Sequence, residues 1–193
     1  MQFTVTAIII AVIVLVLVMS TIAYIIGARR FKQPFLNFLG RYIAIFGALL
    51  LIELAFLELM PSLHTALCNF TAAVVGGIIG LAGTEFTVSG SMITLQNPYT
   101  SFEVNAACLG GVLFWVYTAL VFAKTGVTMR QRLVVLIAGL SVLVVFNIFR
   151  ITLSIYLEKQ TGVYVHDYFY LFYMAFVLAV WAAWARTLRV RAA

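Results

Sequence analysis

Apolar positions in this chain come in long unbroken runs divided by short polar clusters. A half-buried strand alternates every second residue, and a soluble helix shows one apolar stripe; neither pattern dominates here. Five runs are long enough for helices that cross a bilayer, which takes roughly 20 apolar residues. They are Phe3–Ile26, Tyr42–Met60, Ala106–Ala123, Leu133–Leu157 and Tyr168–Ala185. The first exceeds a signal-peptide core and has no positive region before it, so it is expected to be a retained helix. A sixth run, Ala66–Gly83, is apolar but crowded with small residues (VVGGIIGLAG). Between it and the third span, Thr84–Asn105 mixes β-forming residues with turn formers (TVSGSM, QNPYT), which predicts an outer loop with a short hairpin.

Charge adds orientation. Basic residues cluster as Arg29, Arg30, Lys32 and Arg41, as Lys124, Arg130 and Arg132, and as Arg186, Arg189 and Arg191. These three connections are expected to be cytoplasmic. Glu58, Glu85, Glu103, Glu158 and Asp167 fall near the opposite side, and Glu53 lies inside the second span. The N-terminus is therefore expected outside and the C-terminus in the cytoplasm of a cell-membrane protein. Parity then forbids Ala66–Gly83 a single crossing, so it is expected to re-enter or to lie in the outer interface. The fold class that follows is an all-α polytopic bundle: five spanning helices plus one re-entrant or interfacial helical segment, in one integral membrane domain over residues 1–193.

Composition agrees. The chain is 65% hydrophobic and only 9% charged, where a soluble domain is about a quarter charged. The net charge of +6 belongs to the topology clusters, so no nucleic-acid partner is expected. Cys68 and Cys108 form neither a disulfide framework nor a zinc spacing. No metal and no cofactor are expected.

Within the apolar run VLVVFNIFRITLSIYL stands one full charge, Arg150, with Asn147 three residues before it on the same helical face. An arginine near a helix end can snorkel to the interface; the paired amide favours an inward polar seam instead. Burying a charge at mid-membrane costs about 2.5–3.5 kcal/mol on insertion scales. Losing one oxyanion donor costs roughly 2.7–4 kcal/mol of transition-state stabilisation. A catalytic role is thus large enough to retain the charge. Counting from the membrane ends, Cys108, Arg150 and His166 fall at one level of the outer leaflet. Cys108 is expected about one turn into its span, with Asn105 three residues before it. A thiol and an imidazole within reach make a nucleophile and its base. Taken singly, a membrane cysteine is a small apolar filler and an interfacial histidine is solvated; the case rests on the three together.

The run V-N-A-A-C-L-G-G, then a basic loop, then F-N-I-F-R-I, then a histidine before a last helix, resembles the exosortase/archaeosortase family, multi-pass membrane cysteine transpeptidases. The resemblance covers about residues 81–185. It implies Cys108 as nucleophile, Arg150 as oxyanion or substrate stabiliser, and His166 as general acid/base, where some relatives carry arginine. Asn105, Asn147, Glu103 and Asp167 are supporting candidates. Leu109 departs from the small residue that usually follows the cysteine. The implied partners are exported proteins ending in a short motif, a transmembrane helix and a basic tail, with a lipid or cell-surface glycan as acceptor. The implied reaction passes through a Cys thioester, and hydrolysis by the same centre is the variant reaction. The rival from a different class is a small transporter or scaffold binding an anion at Arg150. His64 is a fallback base, Cys68 is read as packing, Lys159 as solvated, and Glu53 as an Arg150 partner or a protonated acid.

Overall fold

The computed structural model describes residues 34–96, 99–163 and 165–190; of His166 and Asp167 only the backbone is described. The expected helix Phe3–Ile26 lies outside these residues. Five helices and three strands follow in order: α1 (Pro34–Leu59), α2 (Pro61–Leu81), β1 (Phe86–Ser89), β2 (Met92–Gln96), β3 (Tyr99–Glu103), α3 (Gly111–Ala123), α4 (Met129–Thr161) and α5 (His166–Val190). Among the described residues, five helices are long and apolar enough to cross a membrane, the third counted from Ala106. The helical membrane architecture expected from the hydropathy runs is the one observed. The segment expected to be re-entrant or interfacial is helical too. It forms one unbroken helix of 21 residues, roughly 31 Å long at 1.5 Å per residue.

The described residues divide into two compact units, one of those up to Glu58 with Trp115–Ile137, the other of those in Leu59–Phe114 and from Ala138 onward. In the first unit, the turn before α4 carries a reciprocal cap. Gln131 N donates to Thr128 Oγ1 at 3.4 Å, and Thr128 N donates to Gln131 Oε1 at 3.1 Å. This satisfies donors that the first helical turn leaves open. Arg132 donates to the carbonyls of Phe122 and Lys124 at 3.0 and 2.7 Å, closing the C-terminal end of α3 with a cation, as the helix dipole favours. Here a basic residue of the topology cluster doubles as a cap.

The second unit holds the sheet and the core around it. The expected hairpin is found and extended by one strand: β1–β2–β3 form an antiparallel meander. Ser89 pairs with Met92 across a two-residue loop in which Gly90 has φ 61°, a conformation tight hairpins require and glycine supplies. Alternation sends Ile93 and Leu95 into the core at 0% and 1% exposure. Phe86 and Val88 of β1 and Phe102 of β3 pack against the same cluster.

Opposite this face, α2 buries Cys68, Ala72, Val75, Gly76 and Ile79, one stripe at helical spacing. The glycines of the small-residue run are where the sheet docks. A Cβ on Gly76 would lie 2.7 Å from Val88 Cγ2, and one on Gly80 would lie 2.5 Å from Phe86 Cε1. α4 supplies Ile151 and Ile155 to the same core, and Cys108 belongs to it.

Gly80→Val is expected to lift the sheet from α2 and to cost roughly 1–3 kcal/mol through overpacking. Gly77→Ala, whose Cβ meets nothing within 4 Å, is expected to be neutral or slightly stabilising. Thermal unfolding of the two variants in detergent, alongside limited proteolysis at residues 84–105, checks the contrast.

Candidate functional site

The last residues before α3 do not join its regular helix; Ala106–Gly110 form turns. Cys108, expected one turn inside the span, therefore stands just ahead of the α3 N-terminus. Asn105 is the reason. Its Oδ1 accepts from the amides of Ala107 and Cys108 at 3.1 and 3.3 Å, and its carbonyl accepts from Cys108 N at 3.0 Å. Asparagine competes with the helix for backbone donors in this way. Gly110 then turns the chain with φ 72°, and helix bonding starts from its carbonyl, which accepts from Leu113 N and Phe114 N.

The expected polar seam on α4 is present. Its buried stripe runs Gly139, Leu143, Asn147, Arg150, Ile151, Ser154 and Ile155. Arg150 is 1% exposed, so it does not snorkel. Asn147 Nδ2 donates to the carbonyl of Cys108 at 2.8 Å, and Arg150 Nη2 reaches the same oxygen at 3.5 Å. Arg150 Nε donates to Asn147 Oδ1 at 3.2 Å. The guanidinium also lies over the Tyr173 and Tyr170 rings, 5.6 and 6.0 Å from their centroids. Tyr173 is fully buried and donates its hydroxyl to Leu143 O at 2.9 Å. The structure thus joins Asn105, Cys108, Asn147 and Arg150 through the backbone around the thiol.

Cys108 is buried, with 7% of the residue exposed. Its Sγ approaches the carbonyl of Glu103 at 3.9 Å. Cys108 lines a cavity of about 330 Å3, whose walls include Phe102, Ile151 and Ile155 and whose polar lining includes Glu103, Ser154 and Glu158. Ser154 is buried and donates to Arg150 O at 2.8 Å.

His166 opens α5, two turns before Tyr173 in sequence; its side chain and that of Asp167 lie outside the described residues, so neither is assigned contacts. His64 is on α2 and its Nε2 lies 3.7 Å from Cys68 Sγ. Cys68 is buried within the core and within electrostatic reach of Cys108 and Glu103. Glu53 lies in the first unit, against the Trp115 side chain. Lys159, expected to be solvated, is part-buried and donates to Thr84 Oγ1 at 3.3 Å.

Sequence reasoning missed Tyr173, Tyr170, Ser154, Gly110 and Glu158. Ser154 was within reach, since it follows Arg150 by four residues on the seam. The tyrosines belong to another helix, and no spacing rule points from Arg150 to them.

Two substitutions test the frame. Asn147→Leu keeps the branch at Cγ but strips hydrogen bonds from a buried cation and a buried carbonyl. It is expected to cost roughly 1.5–3 kcal/mol. Gly110→Ala would place a Cβ 3.1 Å from Tyr173 Cε1 at a positive φ, at roughly 1–2 kcal/mol or more. Both are measured as lowered unfolding midpoints in detergent, with Leu109→Ala as a reference outside the network.

The comparisons bear on nearly the whole chain. The family model described as Transmembrane exosortase (Exosortase_EpsH) matches residues 2–185. Curated proteins and solved structures give no match. The matched stretch starts well before residue 81, where the motif resemblance begins, and takes in the expected first span as well as the turn of Cys108 and the seam of α4. This chain belongs to the transmembrane exosortase family and is a membrane protein of that family.

Proposed function

We propose that this protein is a membrane cysteine transpeptidase that removes the C-terminal sorting signal of exported proteins at the outer membrane interface. The observation that carries the reading is the grip of Asn147 and Arg150 on the carbonyl of Cys108, beside a cavity that Cys108 lines. A full charge inside a membrane segment is expensive to bury and by default marks a functional site.

The Cys108 thiolate attacks the carbonyl carbon of the peptide bond preceding the substrate's anchor helix. A C–S bond forms as the carbonyl π pair moves to oxygen. Arg150 stabilises that developing negative charge in a low-dielectric site, and the nearby α3 N-terminus favours it as well. Collapse breaks the C–N bond, and His166 delivers the proton to the departing amine. An amine or another nucleophile on a lipid or surface glycan then displaces the thiol, and His166 takes its proton. Asn105, Asn147 and Tyr173 are positioning residues: they hold the turn and the guanidinium.

The test is a co-expressed protein ending in a motif, an apolar helix and a basic tail. Cys108→Ala is expected to leave the C-terminal helix attached, and Arg150→Lys to slow processing by about 100-fold, in line with loss of one oxyanion donor. Normal processing by Cys108→Ala overturns the assignment. Against a thiol-reactive probe, Cys108 is expected to react faster than Cys68 and to slow when His166 is replaced. Equal labelling favours a transporter or scaffold. Mass spectrometry of the product C-terminus separates transfer from hydrolysis.

A further inference from the structure

One edge of the three-stranded sheet opens beside the thiol. Val104 N donates to Ser91 O at 2.9 Å, which sets the phase of the ladder along β3. Alternation then turns the backbone groups of Phe102 and Thr100 to Ile93 and Leu95 of β2, and those of Tyr99, Ser101 and Glu103 to the opposite side. Among the described residues no fourth strand pairs there. The Glu103 carbonyl is one of these outward groups, and Cys108 Sγ lies 3.9 Å from it. The cavity that Cys108 lines follows the same edge. Five consecutive residues, Ser101 to Asn105, belong to its wall. One face of a strand supplies every second residue, so an unbroken run marks the backbone edge as the wall. The facing wall is one stripe of α4, Ile151, Ser154, Ile155 and Glu158. That stripe is about 10 Å long at 1.5 Å per residue, the length of about three extended residues. Open edges are normally blunted by proline, lysine or a bulge. Tyr99–Glu103 has no proline or lysine, and its register with β2 is continuous.

We infer that β3 is a docking edge: an extended peptide segment of the substrate adds to it as a fourth strand and is led along it to Cys108. The inference rests on the proposed reaction and names how the substrate of that reaction is held. Alternating donors and acceptors are matched by another extended backbone and not by a lipid tail, which has none. The occupant is the segment next to the scissile bond, because the edge and the thiol share one cavity. Backbone bonds supply affinity in this mode, and alternate side chains supply selectivity. Side chains on the core side of the added strand meet Ile151 and Ile155, and those between them meet Ser101 and Glu103. Ser101 and Glu103 hold substrate through their backbones and take no part in bond making.

The decisive measurement uses the full-length protein in detergent on a Cys68→Ala background and needs no turnover. An alternating threonine–valine pentapeptide ending in cysteamine is joined to Cys108 by thiol–disulfide exchange. Hydrogen exchange of the segment Tyr99–Glu103 is then followed by mass spectrometry. The outward amides are expected to exchange about 10-fold more slowly than in the protein carrying cysteamine alone. Only every second residue of an added strand faces the edge. Methylating one alternate set of peptide amides is therefore expected to abolish the protection, and methylating the other set to leave it. Ser101→Pro removes an outward donor and spares the ladder to β2, as proline on an edge strand does. It is expected to weaken linkage of the peptide relative to cysteamine by about 10-fold. Protection that is absent, or that responds alike to both methylated sets, overturns the inference, and so does linkage unmoved by Ser101→Pro. The methylation pair is read on an unaltered sheet, so it decides even where Ser101→Pro fails to fold. Normal processing by Cys108→Ala beside alternating protection overturns the transpeptidase reading alone. Blocked processing by Cys108→Ala beside an unprotected β3 overturns the docking edge alone.

Discussion

The buried guanidinium of Arg150 is the constraint around which the second unit is organised. A charge in an apolar interior must be paired with hydrogen-bond partners and polarisable surfaces or be strongly destabilising. Here the partners are an asparagine one helical turn away, the carbonyl of Cys108 and two tyrosine rings. Charge-assisted hydrogen bonds contribute roughly 1.5–3 kcal/mol each, on the scale of the insertion penalty. The arginine is therefore tolerable only while the cysteine turn stays in place. The coupling runs both ways: the cation needs the turn's carbonyl, and the turn is positioned by the cation and its amide.

The small sheet serves that turn. Strand β3 leads through Val104 directly into Asn105, and Val104 is 2% exposed, so the chain enters the turn from a packed anchor. Packing of Phe86 and Val88 against Gly76 and Gly80 joins the sheet to α2, and Ile93 and Leu95 complete the core that also holds Cys108. An extended segment beside apolar helices is stable here because its backbone donors are spent within the meander and one of its faces is covered. The other face carries Thr94, Ser101 and Glu103, with Thr94 and Ser101 hydroxyls 3.1 Å apart, and its Glu103 edge reaches the cavity.

Helix length and chemistry separate cleanly in α4. Its first turn is capped by Thr128 and Gln131, and it ends at Gly162, whose φ is 66°. Between these ends the helix runs 33 residues, roughly 50 Å, well beyond a hydrocarbon core of about 30 Å. The excess length lets one rigid element carry the polar seam at Asn147 and Arg150 and also Glu158 further along. A functional group on a rigid helix is held more tightly than one on a loop, and here the loop residue, Cys108, is clamped by the helix.

What the amino-acid order determined by itself is local. Hydropathy runs of twenty or so residues gave the helices, because a chain in lipid must satisfy its own backbone. The i and i+3 spacing gave the Asn147–Arg150 seam, and the turn residues gave the hairpin. The tertiary structure alone decided the rest. Asn105 stops the regular helix short of Cys108, so the thiol sits on a turn at the start of the span and not within the helix. The bond from Asn147 to Cys108 joins positions 39 residues apart, Tyr173 lies beneath the guanidinium from another helix, and Glu103 and Glu158 meet at one cavity from a strand and a helix. Periodicity along a chain records which face each element presents, since that follows from backbone geometry. It carries no term for which faces of distant elements touch, and the site is made of those contacts.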